Sequence, residues 1–177
     1  MGKKHHKSKK HHRKAHQTSD FGHMAGAIGR GIVAGLAGTA VMTVAQMIEM
    51  KISGRQPSDT PYKAVSKVFG IDAKTDQDKE KLSNIIHWVY GSCWGIPRGL
   101  LAEFGVEGAA GTGAHFAAVW GKEVVMLPSL GVAEPITKWA PKAIAQDMLF
   151  HAVYAVTVGL VADALTSLPA KKRRKQK

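Results

Sequence analysis

The sequence predicts an all-α fold: a four-helix transmembrane bundle made from a duplicated helical hairpin, with disordered basic tails. Three observations predict it. Apolar segments near the roughly 20 residues that cross a bilayer core recur at about 26–50, 82–101, 108–127 and 144–168. Lys and Arg are concentrated at the two ends of the chain. Two short patterns recur, in the same order, in both halves.

With 177 residues the chain supports one domain with a real core, and smaller pieces would not stand alone. We divide it into a Lys/His-rich tail (1–22), a membrane domain (23–169) and a short basic tail (170–177). The formal charge of +12 resides mainly in the tails: Lys3, Lys4, Lys7, Lys9, Lys10, Arg13 and Lys14 at one end, and Lys171, Lys172, Arg173 and Arg174 at the other. Such clusters suit an anionic surface. Flanking apolar spans, they point to the lipid bilayer and its anionic head groups as partner, with nucleic acid the weaker reading. The histidines of the first tail add loose metal-binding capacity. Low apolar content gives residues 1–22 little surface to bury against their ordering entropy, hence the expectation of disorder. The single cysteine, Cys93, excludes an internal disulfide, and the basic start is followed by polar residues rather than by a signal-peptide core.

The first span is apolar all round the helical wheel, where a surface helix would show one stripe, and from Gly31 to Ile48 it carries no charge. Gly31 and Gly35 form a GxxxG pair, of the kind that lets helices approach closely in lipid. The polar stretch from Lys51 to Leu82 holds a turn (GRQPSDTP) and YKAVSKVF, whose Val65, Val68 and Phe69 oppose Lys63 and Lys67, as in a short interfacial helix. Thr75 to Lys81 reads as an exposed helix opening, with acids where the dipole favours them. The second span carries a glycine ladder, Gly91, Gly95 and Gly99, and a kink is expected at Pro97. The third stops at Pro128, and the fourth, with Gly159, meets Pro169 and the basic tail. With four spans both termini share a side, and their basicity places both in the cytoplasm; Arg98, at the inner end of the second span, agrees.

Gly35-Leu-Ala-Gly-Thr39 recurs as Gly108-Ala-Ala-Gly-Thr112, and His87-x-Val-Tyr90-x4-Gly95 recurs as His151-x-Val-Tyr154-x4-Gly159. The paired matches indicate a duplicated hairpin whose halves run parallel.

The segment Leu82–Leu165, above all VVMLPSLGVAEP and DMLFHAVYAVTVG, resembles the YagU-like family of small bacterial inner-membrane proteins. The resemblance implies a helical, multi-pass protein of the bacterial inner membrane with a homeostatic role linked to acid tolerance. It supplies no catalytic residues.

The orientation gives each polar residue a depth. Glu49, His87, Tyr90, Glu123, Asp147, His151 and Tyr154 collect in the outer half, with His115 nearer the middle. Ionisable groups in spans usually face the bundle interior and mark ion or proton paths. His87, His151, Glu49 and Glu123 offer imidazole and carboxylate ligands for a divalent transition metal. Asp147, Tyr90, Tyr154 and His115 would serve a proton relay or helix packing, and Gly31, Gly35, Gly91, Gly95, Gly99 and Gly159 would pack helices. Two other readings stand beside this one. A structural or accessory subunit would dock a membrane partner or a second copy through its glycine faces, and a haem protein would use His87 and His151 as axial ligands, the weaker option. The chain has no GxSxG or Walker A motif, and no GxGxxG following a strand, so it is read as a non-enzyme.

Overall fold

The computed structural model describes the backbone of residues 3–168 and the side chains of residues 21–168. Within that range it is helical: α1 (Lys3–Ser53), α2 (Thr60–Phe69), α3 (Asp76–Glu103), α4 (Gly108–Ser129), a 3-10 turn (Ile136–Lys138) and α5 (Pro141–Ser167). Each of the four apolar segments of the sequence falls in a different long helix, α1, α3, α4 or α5, the last ending one residue past α5.

Helix α1 starts inside the Lys/His-rich segment, where composition predicts disorder; no Gly or Pro interrupts residues 3–21, so helical backbone runs unbroken into the apolar part. The side chains of the Lys3–Lys14 cluster, like the whole basic segment 170–177, lie outside the described residues.

Local chemistry sets the element ends. Thr75 caps α3 by accepting from the Asp78 amide (3.1 Å), and its hydroxyl donates to the Asp78 carboxylate (2.8 Å), a reciprocal arrangement close to a capping box. The α3–α4 turn needs Gly105 at a φ of 78°, a left-handed conformation that costs glycine little; it lets Val106 donate back to Leu101 (2.8 Å). Helix α2 packs on α3 through buried Tyr62, and Ser83 donates to the Ser58 carbonyl (3.2 Å).

Side-chain contacts fix the directions of the long helices. Thr43 meets His87 and Arg30 meets Glu103, so α1 and α3 are antiparallel. Trp120 meets Asp147 and the Gly108 amide meets Asp163, so α4 and α5 are antiparallel. His115 to Trp94 makes α3 and α4 antiparallel too. Helix α5 is the centre, with Phe150, Tyr154, Val158 and Ala162 buried against Ala34 and Met42 of α1 and Val119 of α4.

The glycines of α1 and α3 lie against the facing helix. A Cβ on Gly31 would lie 2.6 Å from the Gly95 carbonyl oxygen, and one on Gly95 would lie 2.7 Å from the Gly35 Cα. Gly99 faces Ala27 and Gly31, and Gly91 receives Thr39. Backbones in direct contact leave no room for side chains, which is the physical content of a GxxxG interface. In the second hairpin Thr112 sits on Gly159. The repeated GxxGT thus places its Thr on a helix-facing Gly in both halves. Aligned by the HxVY pattern, however, Gly159 corresponds to Gly95 rather than Gly91, so the second pair is displaced by one helical turn.

Among the described residues, two segments are long and apolar enough to cross a membrane: Phe21–Ser53 of α1 and Pro141–Ser167 of α5. Helices α3 and α4 fall short of that measure: α3 opens on the charged run Asp76–Lys81, and Lys122 and Glu123 interrupt α4. Arg98 is also not the inner-surface charge that the positive-inside argument used: it is fully buried and held by Asp163 at 2.5 Å.

Candidate metal centre

The centre is built on α4 and α5, at the end of the bundle where α1 and α4 finish. Asp147 and His151 are four residues apart on α5, so their side chains stack on one helix face. Glu123 approaches from the last two turns of α4. One ligand atom from each of Glu123, Asp147 and His151 lies within 4.8 Å of the other two.

His151 is 8% exposed, and both ring nitrogens are engaged. Nδ1 lies 2.9 Å from the Asp147 carbonyl oxygen, which can only accept, so Nδ1 carries the hydrogen. That assigns the lone pair of the singly protonated ring to Nε2, which faces Glu123 Oε2 at 2.6 Å. A backbone carbonyl fixing the far nitrogen is the usual second shell of a ligating histidine. Asp147 is oriented in turn: Trp120 Nε1 donates to Oδ2 (2.8 Å), while Oδ1 lies 3.6 Å from the His151 ring. The Glu123 and Asp147 side chains each keep about a quarter of their surface open (26%), so the cluster is reachable from outside the bundle.

Of the four ligands expected from sequence, His151 and Glu123 come together, and Asp147, expected in the relay or packing set, completes the group. His87, half-buried on α3, turns Nε2 to the Thr43 hydroxyl (3.1 Å). Glu49 is at the same end but pairs with Arg55 (2.9 Å) across the turn after α1. The two histidines that haem ligation would pair thus direct Nε2 to Thr43 and to Glu123.

The remaining candidates occupy successive levels. Tyr90 lies beneath the Lys122 ammonium (4.2 Å to the ring centre) and edge-on to Trp94. Tyr154 is buried and donates to the Gly91 carbonyl (2.6 Å), joining α5 to α3. His115 is buried beside Tyr154, and its Nε2 donates to the Trp94 carbonyl (2.8 Å). At the opposite end Asp163 binds Arg98 with one oxygen and the Gly108 amide with the other (3.0 Å), and Arg30 pairs with Glu103.

Sequence reasoning missed Asp163 and the role of Trp120. A partial signal existed for the first, since Arg98 and Asp163 are opposite charges near the ends of the second and fourth apolar segments, where unpaired charge is costly, although nothing in the sequence says that the two meet. The i, i+4 spacing of Asp147 and His151 was likewise a legible two-ligand face.

Comparison of the chain with protein-family models, with curated proteins and with solved structures yields no match.

Proposed function

We propose that the protein is a multi-pass membrane protein that binds a divalent first-row transition metal at Glu123, Asp147 and His151, serving metal or envelope homeostasis rather than catalysis. The observation that carries this reading is the His151 tautomer. With Nδ1 committed to the Asp147 carbonyl, Nε2 is left to face Glu123 at 2.6 Å, and the Asp147 carboxylate, oriented by Trp120, completes a group whose ligand atoms lie within 4.8 Å of one another. One imidazole and two carboxylates form a donor set for zinc, manganese or iron, and their two negative charges balance a divalent cation inside a low-dielectric bundle.

Dimensions support the membrane placement. At about 1.5 Å per residue, α5, with 27 residues, is about 40 Å long, and α4, with 22, about 33 Å. A bilayer measures roughly 40–45 Å with head groups and 30 Å without. The long helices alternate in direction, so both ends of the chain fall on one side, where the basic tails favour the cytoplasm and the inner membrane. The metal centre is then at the outer end. The resemblance to YagU-like inner-membrane proteins points the same way.

The test is metal analysis and titration on protein purified in detergent. One divalent ion per chain is expected, with Glu123→Gln plus His151→Ala abolishing binding and His87→Ala retaining it. Unchanged stoichiometry in the double variant sinks the proposal. Because the ion displaces the proton held between Nε2 and Oε2, binding should weaken as pH falls.

A second reading rests on the 2.6 Å contact between His151 and Glu123, short enough for a charge-assisted hydrogen bond that passes a proton. It predicts proton uptake by metal-free proteoliposomes that Glu123→Gln removes; uptake unaffected by that change rules it out.

A further inference from the structure

Helix α2 and the turn after α4 border an open cavity of about 370 Å³ lined by Tyr62, Lys63, Ser66, Lys67, Gly131 and Val132. Lys63 and Lys67 stand one turn apart on one helix face, and the Ser66 hydroxyl lines the same cavity. None of these six lining residues is a carboxylate. Lys63 reaches Asp59 at 2.9 Å, but both side chains of that pair are half exposed (54%), and an exposed pair of this kind holds its partners weakly. Past Lys67 the chain presents exposed apolar side chains, Val68 (56%) and Phe69 (71%), then Ile71 after the helix ends at Gly70.

A cationic, hydroxyl-bearing hollow beside an apolar edge matches an amphiphile with an anionic head. Buried Tyr62, whose hydroxyl oxygen accepts from the Ala73 amide (3.1 Å), holds the floor in place. We propose that this cavity binds the phosphate head group of an anionic phospholipid, with Val68 and Phe69 set among its acyl chains. Lys63 and Lys67 neutralise the phosphate, and the Ser66 hydroxyl donates to it. The site lies at the same end of the bundle as Glu123 and His151, and the proposal rests on the reading that the long helices span a bilayer.

The experiment uses the full chain purified in a zwitterionic detergent, with binding followed by native mass spectrometry. The probes are short-chain phosphatidylglycerol, phosphatidylcholine of the same chain length, and inorganic phosphate. Saturable binding of phosphatidylglycerol in preference to phosphatidylcholine is expected. Lys63→Gln with Lys67→Gln should weaken it about 25-fold, from about fivefold per lysine, while Lys138→Gln with Lys142→Gln should leave it unchanged. Equal retention of the two lipids, or no loss in the Lys63/Lys67 variant, overturns the proposal. Inorganic phosphate competing as strongly as the lipid would assign the cavity to a soluble anion and overturn it too. Alkaline carbonate extraction of membranes reads the bilayer placement separately, because the detergent assay measures head-group binding whether or not the chain resists extraction.

Discussion

Arg98 and Asp163 show how much a single residue depends on its partner. The guanidinium is wholly buried, and among the described residues its ionic contact is Asp163, which also holds the first amide of α4. Breaking a buried pair by removing one member leaves an uncompensated charge and costs about 3–5 kcal/mol. Arg98→Ala should therefore lower the midpoint of thermal unfolding in detergent sharply. Replacing both residues together, as Arg98→Met with Asp163→Leu, should recover most of the loss. A double variant no better than the single one would mean that the charges do not act as a pair. At the candidate metal centre, Trp120→Phe removes one oriented hydrogen bond to Asp147 without replacing a proposed ligand. Second-shell changes of this kind weaken metal affinity about 10- to 100-fold, and a titration showing unaltered affinity would remove Trp120 from the site.

At the scale of elements, the glycines divide into two groups that sequence spacing does not separate. Gly31, Gly35, Gly91, Gly95 and Gly99 lie in the α1–α3 contact, where an added Cβ meets backbone or a buried threonine. Gly113 and Gly121 of α4 have nothing within 4 Å of an added Cβ. Gly95→Ala should destabilise by about 1–3 kcal/mol through overpacking. Gly121→Ala should stabilise by about 0.5–1 kcal/mol, because alanine loses less conformational freedom in a helix. Equal effects in an unfolding assay would mean that α1 and α3 are not in backbone contact. The same division explains the repeat: both hairpins use a Thr-on-Gly contact, but α1 and α3 meet along five glycines, while α4 and α5 meet through larger side chains, Trp120 and His151 among them. That difference accompanies the one-turn displacement of the second pair.

For the molecule as a whole, the alternating long helices place ionic clusters at both ends of the bundle, with buried His115 and Tyr154 between them. One end holds Glu123, Asp147 and His151, with His87 and Lys122 beside them. The other holds Arg98, Asp163, Arg30 and Glu103. Under the proposed topology, accessibility tags at both termini of the protein in intact cells should be protected, and a tag exposed outside would put the Glu123, Asp147 and His151 cluster at the inner face. Such a result would leave the geometry of the cluster intact and change the compartment from which the proposed ion would come.

The all-helical character, the positions of the four long helices and the glycine faces could be read from the sequence because each is a local property: apolar run length, turn residues and small-residue spacing act within one segment. The shared level of Glu123, Asp147 and His151 was also within reach, since direction and rise along a helix convert position into depth. Tertiary structure alone decided which of these groups meet. Glu49 turned to Arg55 and His87 to Thr43, because side-chain direction around the helix axis, rather than depth, selects partners. It alone decided that Arg98 is a buried partner of Asp163 and not a surface anchor, since a pairing 65 residues apart in the chain leaves no periodic trace.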